Sequence, residues 1–300
     1  MSAVRTVGIV GLGAMGMPMA RNLLARGFAV RGFDLRSAAR DAVTEAGGTG
    51  VGSAREAAEG AEALVLMVVN AAQAEGVLFA DGALDALAPG GIVVLTATCP
   101  PAAAEAIGAR VVAAGRRFLD APVSGGTAGA SGGTLSIMVG GPADTLDEVR
   151  PVLEALGNKV FHIGETPGQG AAMKTVNQLL CGVHIAAAAE AMSFAETAGI
   201  DKRLVLEILG GSAASSWMLK DRGPRMLEDE PAVSSAVDIF VKDLGIVLQA
   251  GREGGMALPL SAVAHQFFLA TSGRGDGAAD DSQVLRSYRA LNGTGRAGKD

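Results

Sequence analysis

The chain has 300 residues, of which 49% are hydrophobic, and its formal net charge is −6. This length favours two domains, and an acidic balance without runs of Lys or Arg argues against nucleic acid or a membrane surface as the partner. The two cysteines, Cys99 and Cys181, have no paired spacing, so a disulfide framework or a metal site is not expected and a reduced, cytoplasmic protein is favoured.

Short apolar runs alternate with helical patterns through the first half of the chain. Seven of these runs are predicted to be strands, at residues 6–12, 29–35, 63–69, 91–97, 116–123, 135–141 and 158–164. Strands that alternate with helices predict a parallel sheet covered on both faces. The predicted fold class is therefore α/β, with a doubly wound parallel (Rossmann) sheet that binds a dinucleotide over residues 1–165.

The second half of the chain has a helical pattern almost throughout. Helices are predicted at residues 167–198, 201–210, 216–228, 235–253, 259–272 and 280–291. Residues 166–169 carry a capping-box helix start, and His184 and Glu190 interrupt the most apolar stretch, so no membrane span is expected. An all-α domain for substrate binding and oligomerisation is expected over 166–292, joined by the long helix. Residues 293–300 are expected to be a disordered tail.

A glycine motif follows the first predicted strand. Gly11, Gly13 and Gly16 have G-x-G-x-x-G spacing at the start of a helix, which permits a tight turn, close approach to a pyrophosphate and close helix packing. Asp34 ends the second strand, where a carboxylate binds the adenosine ribose hydroxyls and repels a 2′-phosphate. NAD is therefore expected in preference to NADP, although Arg36 would tolerate a phosphate. The alternative is that these are ordinary turn residues.

Further cofactor contacts are expected in the glycine loop and just after later strands, at Leu12, Ala14, Met15, Val69, Asn70 and Thr98. A glycine loop after the fifth strand, Ser124, Gly125 and Gly126, would present a hydroxyl and backbone amides to an anionic group such as a carboxylate. The alternative for this loop is that it only connects two elements.

The long helix carries a polar face in an apolar setting. Lys174, Asn177, Gln178 and Cys181 are spaced i, i+3, i+4 and i+7, so they lie on one side of the helix. A desolvated lysine titrates near neutral pH and can carry a proton, and the two amides would orient the same substrate in a cleft. The alternative is a solvated lysine on the helix surface. The histidines have no partners at metal-ligand spacing, so no metal is expected.

Four segments, 11–24, 120–141, 168–180 and 238–248, together resemble the β-hydroxyacid dehydrogenase (3-hydroxyisobutyrate dehydrogenase-like) family in sequence and order. The resemblance covers about residues 5–292. It implies NAD-linked oxidation of a small hydroxy acid with Lys174 as the catalytic general acid and base. It also implies that Ser124–Gly126 bind the substrate carboxylate, that Thr98 contacts the nicotinamide side, and that Lys242 reaches the cofactor.

The local pattern at Lys242 and the residue type at position 178 differ from what this resemblance implies. Lys242 and Asp238 form an i, i+4 pair on the polar side of a predicted helix, which without the resemblance indicates solvated surface. Many members of the family carry Asn where this chain has Gln178, with Asn177 just before it, so a substrate of different size is implied.

Within the family, the chain looks most like the L-threonate dehydrogenase branch. The expected reaction is oxidation of L-threonate at C2 to the 2-oxo acid by a homodimer or homotetramer. The alternatives are 3-hydroxyisobutyrate dehydrogenase and 2-hydroxy-3-oxopropionate (tartronate semialdehyde) reductase. A non-catalytic NAD-binding interaction module is the alternative from another class, and the presence of Lys174 argues against it.

Overall fold

The structure is a computed structural model that describes residues 4–293. The chain divides into two compact units, Met1–Lys174 and Thr175–Asp300. Of the expected tail, all residues after Gly293 lie outside the described part of the chain.

The first unit contains a nine-stranded sheet within the described residues. Its strands are β1 (Thr6–Val10), β2 (Ala29–Phe33), β3 (Thr49–Gly50), β4 (Ala63–Leu66), β5 (Ile92–Leu95), β6 (Arg117–Asp120), β7 (Val123–Ser124), β8 (Ser136–Gly140) and β9 (Lys159–Gly164). All seven predicted strands are present inside their expected segments. The two-residue strands β3 and β7 were not predicted, because two residues carry no periodic pattern.

The sheet order is β3-β2-β1-β4-β5-β6-β8-β7, with β9 paired to β8. The first six strands of the chain, β1 to β6, run parallel to their neighbours in this order, except where β6 meets β8. Strand β8 is antiparallel to β6 and β7, and β9 is parallel to β8. The predicted doubly wound parallel sheet is therefore confirmed for its first six strands, and the last three add a reversal that the apolar pattern does not reveal.

Helices cover both faces of this sheet. They are α1 (Gly16–Ala25), α2 (Ser37–Glu45), α3 (Ala54–Ala58), α4 (Ala71–Glu75), α5 (Ala83–Ala86), α6 (Pro101–Ala113), α7 (Gly126–Gly132) and α8 (Ala143–Leu156), with a π-helical turn at Gly76–Ala80. Along β4, Val65 belongs to one buried apolar cluster, whereas Leu64 and Leu66 belong to another. Because successive strand side chains point to opposite faces, the sheet is buried on both sides.

The second unit is helical. Its elements are the greater part of α9 (Gln169–Thr197), then α10 (Lys202–Gly210), α11 (Trp217–Arg222), α12 (Val237–Glu253), α13 (Pro259–Thr271) and α14 (Leu285–Asn292). Two of the predicted helices are shorter than expected. The segment 216–228 breaks at Pro224, which begins a 3₁₀ turn, and the segment 280–291 begins with a 3₁₀ turn capped by Asp280. The indole of Trp217 is 56% exposed at the start of α11.

This unit contains a buried ion pair between Arg222 and Asp281. The Arg222 guanidinium donates to Asp281 at 2.8 and 2.9 Å, and neither side chain is more than 7% exposed. Helix α9 is long and apolar enough to cross a membrane by length and composition alone. Half of its most apolar window is buried inside the protein, as in the core helices of soluble proteins, so this is weak evidence for a span.

Candidate active site

The glycine motif adopts the turn that its spacing predicts. Gly11 has φ +93°, and a Cβ on it would lie 2.3 Å from the carbonyl oxygen of Met67. A Cβ on Gly16 would lie 1.8 Å from the carbonyl oxygen of Gly11. Gly13 is different, since a Cβ there would meet no protein atom within 4 Å. Gly11 and Gly16 are thus required by the fold, whereas Gly13 leaves open space in front of the backbone.

The start of α1 also suits a phosphate. Met15 precedes the helix without a side-chain cap, and Leu12 and Ala14 lie in the same turn. The first amides of a helix have no partner within the helix and attract anions. The residues present therefore fit a dinucleotide pyrophosphate.

Asp34 lies directly after β2 and is held on the glycine loop. Its Oδ2 accepts a hydrogen bond from the Leu12 amide at 2.9 Å. Its Oδ1 accepts from the backbone amide of Arg36 at 2.9 Å and from the Arg36 Nε at 3.0 Å. Burial acts to raise the pKa of Asp34, but these hydrogen bonds outweigh it and lower the pKa below its usual value. Asp34 is therefore a fixed anion beside the loop.

Arg36 is turned onto this carboxylate. Its Nη2 also donates to the carbonyl oxygen of Leu12 at 3.2 Å. The sequence left open whether Arg36 would accept a cofactor phosphate, and in this structure its guanidinium is bound to Asp34 instead.

Val69 and Asn70 lie between β4 and α4, and Asn70 is the N-cap residue of α4. The Val69 amide donates to the side-chain oxygen of Gln73 at 2.8 Å, and the Asn70 side-chain oxygen accepts from the Gln73 amide at 2.9 Å. Asn70 thus has an immediate capping role that the sequence analysis did not consider. Thr98 follows β5 and is half-buried.

The Ser124 loop has a backbone that only glycine adopts readily. Gly125 has φ +134° and Gly126 has φ +61°. A Cβ on Gly126 would meet no protein atom within 4 Å, and Ser124 is half-buried at the end of β7. The loop therefore combines a half-buried serine with two following positions whose backbone requires glycine.

Lys174 is the buried lysine that the long helix was expected to carry. Its side chain is 7% exposed on α9. One helical turn further on, Gln178 is equally buried, whereas Asn177 is half-buried. The alternative of a solvated lysine is therefore wrong. A lysine is seldom buried to this extent without a specific role or partner.

Gln178 and Lys242 share one carboxylate in the second unit. The Gln178 side-chain nitrogen donates to Asp243 Oδ2 at 2.5 Å, and the Lys242 Nζ lies 2.6 Å from Asp243 Oδ1. Asp243 is 2% exposed. The i, i+4 spacing had suggested Asp238 as the partner of Lys242 instead. Asp243 could not be identified from the sequence, because a charged residue at one position of an amphipathic helix does not reveal its tertiary partner.

Asp120 is a second carboxylate that the sequence analysis did not single out. It ends β6, is 1% exposed, and its Oδ2 accepts from the Ala171 amide of α9 at 2.6 Å. Burial raises the pKa of Asp120 to about 6, although backbone hydrogen bonds oppose this. Its position after the buried Phe118 and Leu119 at the end of β6 was the available signal. Within residues 4–293, no group of three or more His, Cys, Asp or Glu could hold a metal ion.

Comparison with known families agrees with these features over both halves of the chain. Residues 6–164 match the NAD binding domain of 6-phosphogluconate dehydrogenase, and residues 168–288 match the family described as NAD-binding of NADP-dependent 3-hydroxyisobutyrate dehydrogenase. These matches identify NAD as the cofactor and the protein as an oxidoreductase that acts on a small hydroxy acid.

Individual relatives match over nearly their whole length. The chain is 44% identical to an L-threonate dehydrogenase of Cupriavidus necator, over 98% of this chain and 99% of the relative. It is 40% identical to an L-threonate dehydrogenase of Escherichia coli K12, over 95% of each chain. A crystal structure of a 3-hydroxyisobutyrate dehydrogenase from Salmonella typhimurium superposes with a TM-score of 0.90 at 41% identity, over 94% of this chain and 99% of that one. The chain therefore belongs to the β-hydroxyacid dehydrogenase (3-hydroxyisobutyrate dehydrogenase-like) family.

Proposed function

We propose that the protein oxidises L-threonate at C2 to the 2-oxo acid, with NAD as the hydride acceptor. Family membership gives the class of reaction, and the substrate is the proposed part. The observation that carries it is the 44% identity, over almost the full length of both chains, to the L-threonate dehydrogenase of Cupriavidus necator.

The substrate carboxylate is assigned to the Ser124–Gly126 loop. Ser124 donates its hydroxyl, and the loop amides supply further donors. The positive φ angles of Gly125 and Gly126 and the open space at Gly126 support this assignment. Holding the carboxylate at a fixed place brings C2 and its hydroxyl into a defined position, and such positioning supplies a large part of enzymatic rate enhancement.

Lys174 is assigned as the general acid and base. During oxidation its neutral Nζ accepts the proton of the C2 hydroxyl; during reduction its ammonium returns that proton to the carbonyl oxygen. NAD, when bound, accepts the hydride that leaves C2. Asn177 and Gln178 are assigned to the substrate from the same face of α9, with Asn177 as the direct contact, because Gln178 already binds Asp243.

The cofactor is assigned to the glycine motif, with the pyrophosphate against Gly11–Gly16 and the adenosine ribose against Asp34. Val69, Asn70 and Thr98 are assigned to the same ligand because all three follow strands at the carboxyl edge of the sheet, where ligands of such folds bind. Lys242 is assigned as a further contact, oriented by its ion pair with Asp243. Residues 1–165 thus bind the cofactor, and residues 166–292 serve the substrate and self-association.

Initial rates with NAD and with NADP test the substrate and the cofactor together. The acids are L-threonate, D-threonate, L-erythronate, 3-hydroxyisobutyrate and D-glycerate. We expect the highest kcat/KM for L-threonate with NAD. A preference for another acid would overturn the substrate but not the reaction class. Binding of NAD without turnover of any acid would contradict the proposal as a whole.

A second candidate is 3-hydroxyisobutyrate, which is favoured by the structural similarity to the Salmonella typhimurium enzyme. In that acid the reacting hydroxyl is one carbon further from the carboxylate. The same loop and the same lysine would serve only if the carboxylate lay correspondingly further from Lys174. The comparison of these two acids in the rate panel separates the candidates.

We also propose that the protein is a cytoplasmic homodimer or homotetramer. Large apolar side chains are exposed along α9, with Val176 at 54% and Phe194 at 72%, and exposed apolar patches often mark protein interfaces. Light scattering coupled to size-exclusion chromatography measures the mass in solution. A monomer at micromolar concentration would contradict this proposal.

A further inference from the structure

Asp120 connects two separate parts of the proposed substrate site within the first unit. It ends β6, and the chain reaches Ser124 only four residues later. Its carboxylate accepts the Ala171 amide at 2.6 Å, and the amides of Gly168 and Gly170 also interact with it. Lys174 follows Ala171 by three residues on the same helix.

Two glycines allow this close contact between strand and helix. A Cβ on Gly140, which pairs with Asp120 in the sheet, would lie 2.4 Å from Asp120 Oδ1 and 2.7 Å from the Gly170 amide nitrogen. A Cβ on Gly170 would lie 2.7 Å from the carbonyl oxygen of Asp120. The carboxylate is therefore enclosed by backbone on both sides, with no room for another residue type at either glycine.

We propose that Asp120 is a positioning residue for catalysis, whose ionised carboxylate holds the first turn of α9, and with it Lys174, at a fixed distance from the Ser124 loop. The proposal rests on the function proposed above for Lys174 and Ser124. Asp120 Oδ2 accepts the Ala171 amide, whereas its buried Oδ1 has no hydrogen-bond partner among residues 4–293. A carboxylate has acceptor oxygens only, whereas a side-chain amide carries a donor in place of one of them. Replacing the carboxylate by an amide therefore places a donor among backbone amides that are donors themselves, and the first turn of α9 loosens.

The groups that face Asp120 are mainly uncharged. Its partners in the sheet are Leu95 of β5 and Gly140 of β8. Helix α6 places Glu105 beside Gly168, and α9 carries Lys174 as its nearest ionisable side chain along the chain. Because burial raises the pKa of Asp120 to about 6, the carboxylate is ionised above pH 6 and becomes protonated as the pH falls below it.

Turnover at pH 7.5, where Asp120 is ionised, tests the proposal. In Asp120→Asn we expect kcat for the hydroxy acid to fall by about tenfold to a hundredfold, as for a slightly misplaced catalytic group.

The same variant should bind NADH with a dissociation constant within about twofold of the wild type, because the glycine motif at 11–16 is not changed. Asp144→Asn is the matched control. Asp144 is an exposed carboxylate near the start of α8, where its Oδ1 accepts the Thr145 amide. We expect this control to keep the wild-type kcat. An Asp120→Asn enzyme with wild-type kcat would overturn the proposal.

Hydrogen exchange separates this proposal from the assigned function. In cofactor-free Asp120→Asn at pH 7.5, the amides of residues 169–174 should be less protected than in the wild type, while α8 keeps its protection. If this pattern appears without turnover of any acid by the wild type, the link between Asp120 and α9 stands and the assigned reaction fails. If residues 169–174 are equally protected in the two proteins, the positioning role is overturned.

Discussion

The side-chain nitrogen of Gln178 donates to Asp243 Oδ2 at 2.5 Å, and both side chains are buried. The Gln178 oxygen in turn accepts from the Asn177 side-chain nitrogen at 2.8 Å. Together with the Lys242–Asp243 ion pair, these contacts form a continuous polar chain from α12 to the face of α9. A buried carboxylate needs such donors, because an unpaired charge in the interior is strongly unfavourable.

Substitution of Gln178 by Met should destabilise the protein. The side chain keeps its approximate length, but Asp243 loses its amide donor, which costs about 1–3 kcal/mol in the free energy of unfolding. Urea denaturation measures this change. Gln249→Met is the matched control, because Gln249 donates to Glu253 at 2.8 Å on the exposed side of α12, the helix that carries Asp243. Equal losses in the two variants would show that burial of the Gln178–Asp243 contact has no energetic importance.

Substitution of Lys174 by Met should remove most of the activity. General acid–base catalysis contributes about 10²-fold to 10⁴-fold, so kcat should fall within that range while NAD affinity stays within about twofold. Steady-state rates and a fluorescence titration with NADH measure the two effects. Lys159→Met, at an exposed position on β9, should keep full activity. A Lys174→Met enzyme with more than a tenth of wild-type kcat would exclude Lys174 as the proton carrier.

Removal of the Asp34 carboxylate should shift the cofactor preference towards NADP. Asp34→Ala removes the proposed ribose acceptor and releases Arg36, whose guanidinium can then bind a 2′-phosphate. The ratio of kcat/KM for NADP to that for NAD should rise by about tenfold to a hundredfold, the range of a hydrogen bond to a charged group. The double variant, Asp34→Ala combined with Arg36→Ala, should lose most of this increase in the kcat/KM ratio. If the double variant keeps that gain, Arg36 has no part in it.

Alanine substitutions at Gly13 and Gly16, two glycines of the cofactor motif, should have different effects. Gly16→Ala places a Cβ against the Gly11 carbonyl oxygen. We therefore expect both the stability of the fold and the affinity for the cofactor to decrease. Gly13→Ala meets no protein atom, so its thermal unfolding midpoint without cofactor should stay close to that of the wild type. Its NAD dissociation constant should rise at least about tenfold, since the methyl group occupies the space that a pyrophosphate needs. Unchanged NAD affinity in Gly13→Ala would mean that the pyrophosphate does not approach this loop.

The elements that the sequence predicted best are those with a strong local pattern. Buried runs such as 63–66 alternate with helices, and the capping residues at 166–169 place the start of α9 within two residues of its observed position. The spacing of Gly11, Gly13 and Gly16 likewise predicts the turn between β1 and α1. The role of each glycine depends only on the backbone geometry of residues close to it in the chain. Such features can be read from the chain without knowledge of its tertiary contacts.

The features that the sequence did not predict depend on partners that are distant along the chain. Asp120 binds an amide 51 positions away, and Gln178 binds a carboxylate 65 positions away. The reversal of β8 relative to β6 has the same origin, since strand direction is set by the connection and not by the apolar pattern. Arg36 was ambiguous because its position beside Asp34 does not determine which way the guanidinium turns.

Trp217 gives the protein an intrinsic optical reporter. It is the single tryptophan of the chain, and its indole lies half in solvent at the start of α11. Tryptophan emission therefore comes from one known position, and a shift in its wavelength reports a change in polarity at that position alone. Because Trp217 belongs to the second unit, its spectrum during denaturation follows the unfolding of the helical unit. Far-ultraviolet circular dichroism records both units, so a difference between the two transitions would reveal separate unfolding of the sheet and helical units.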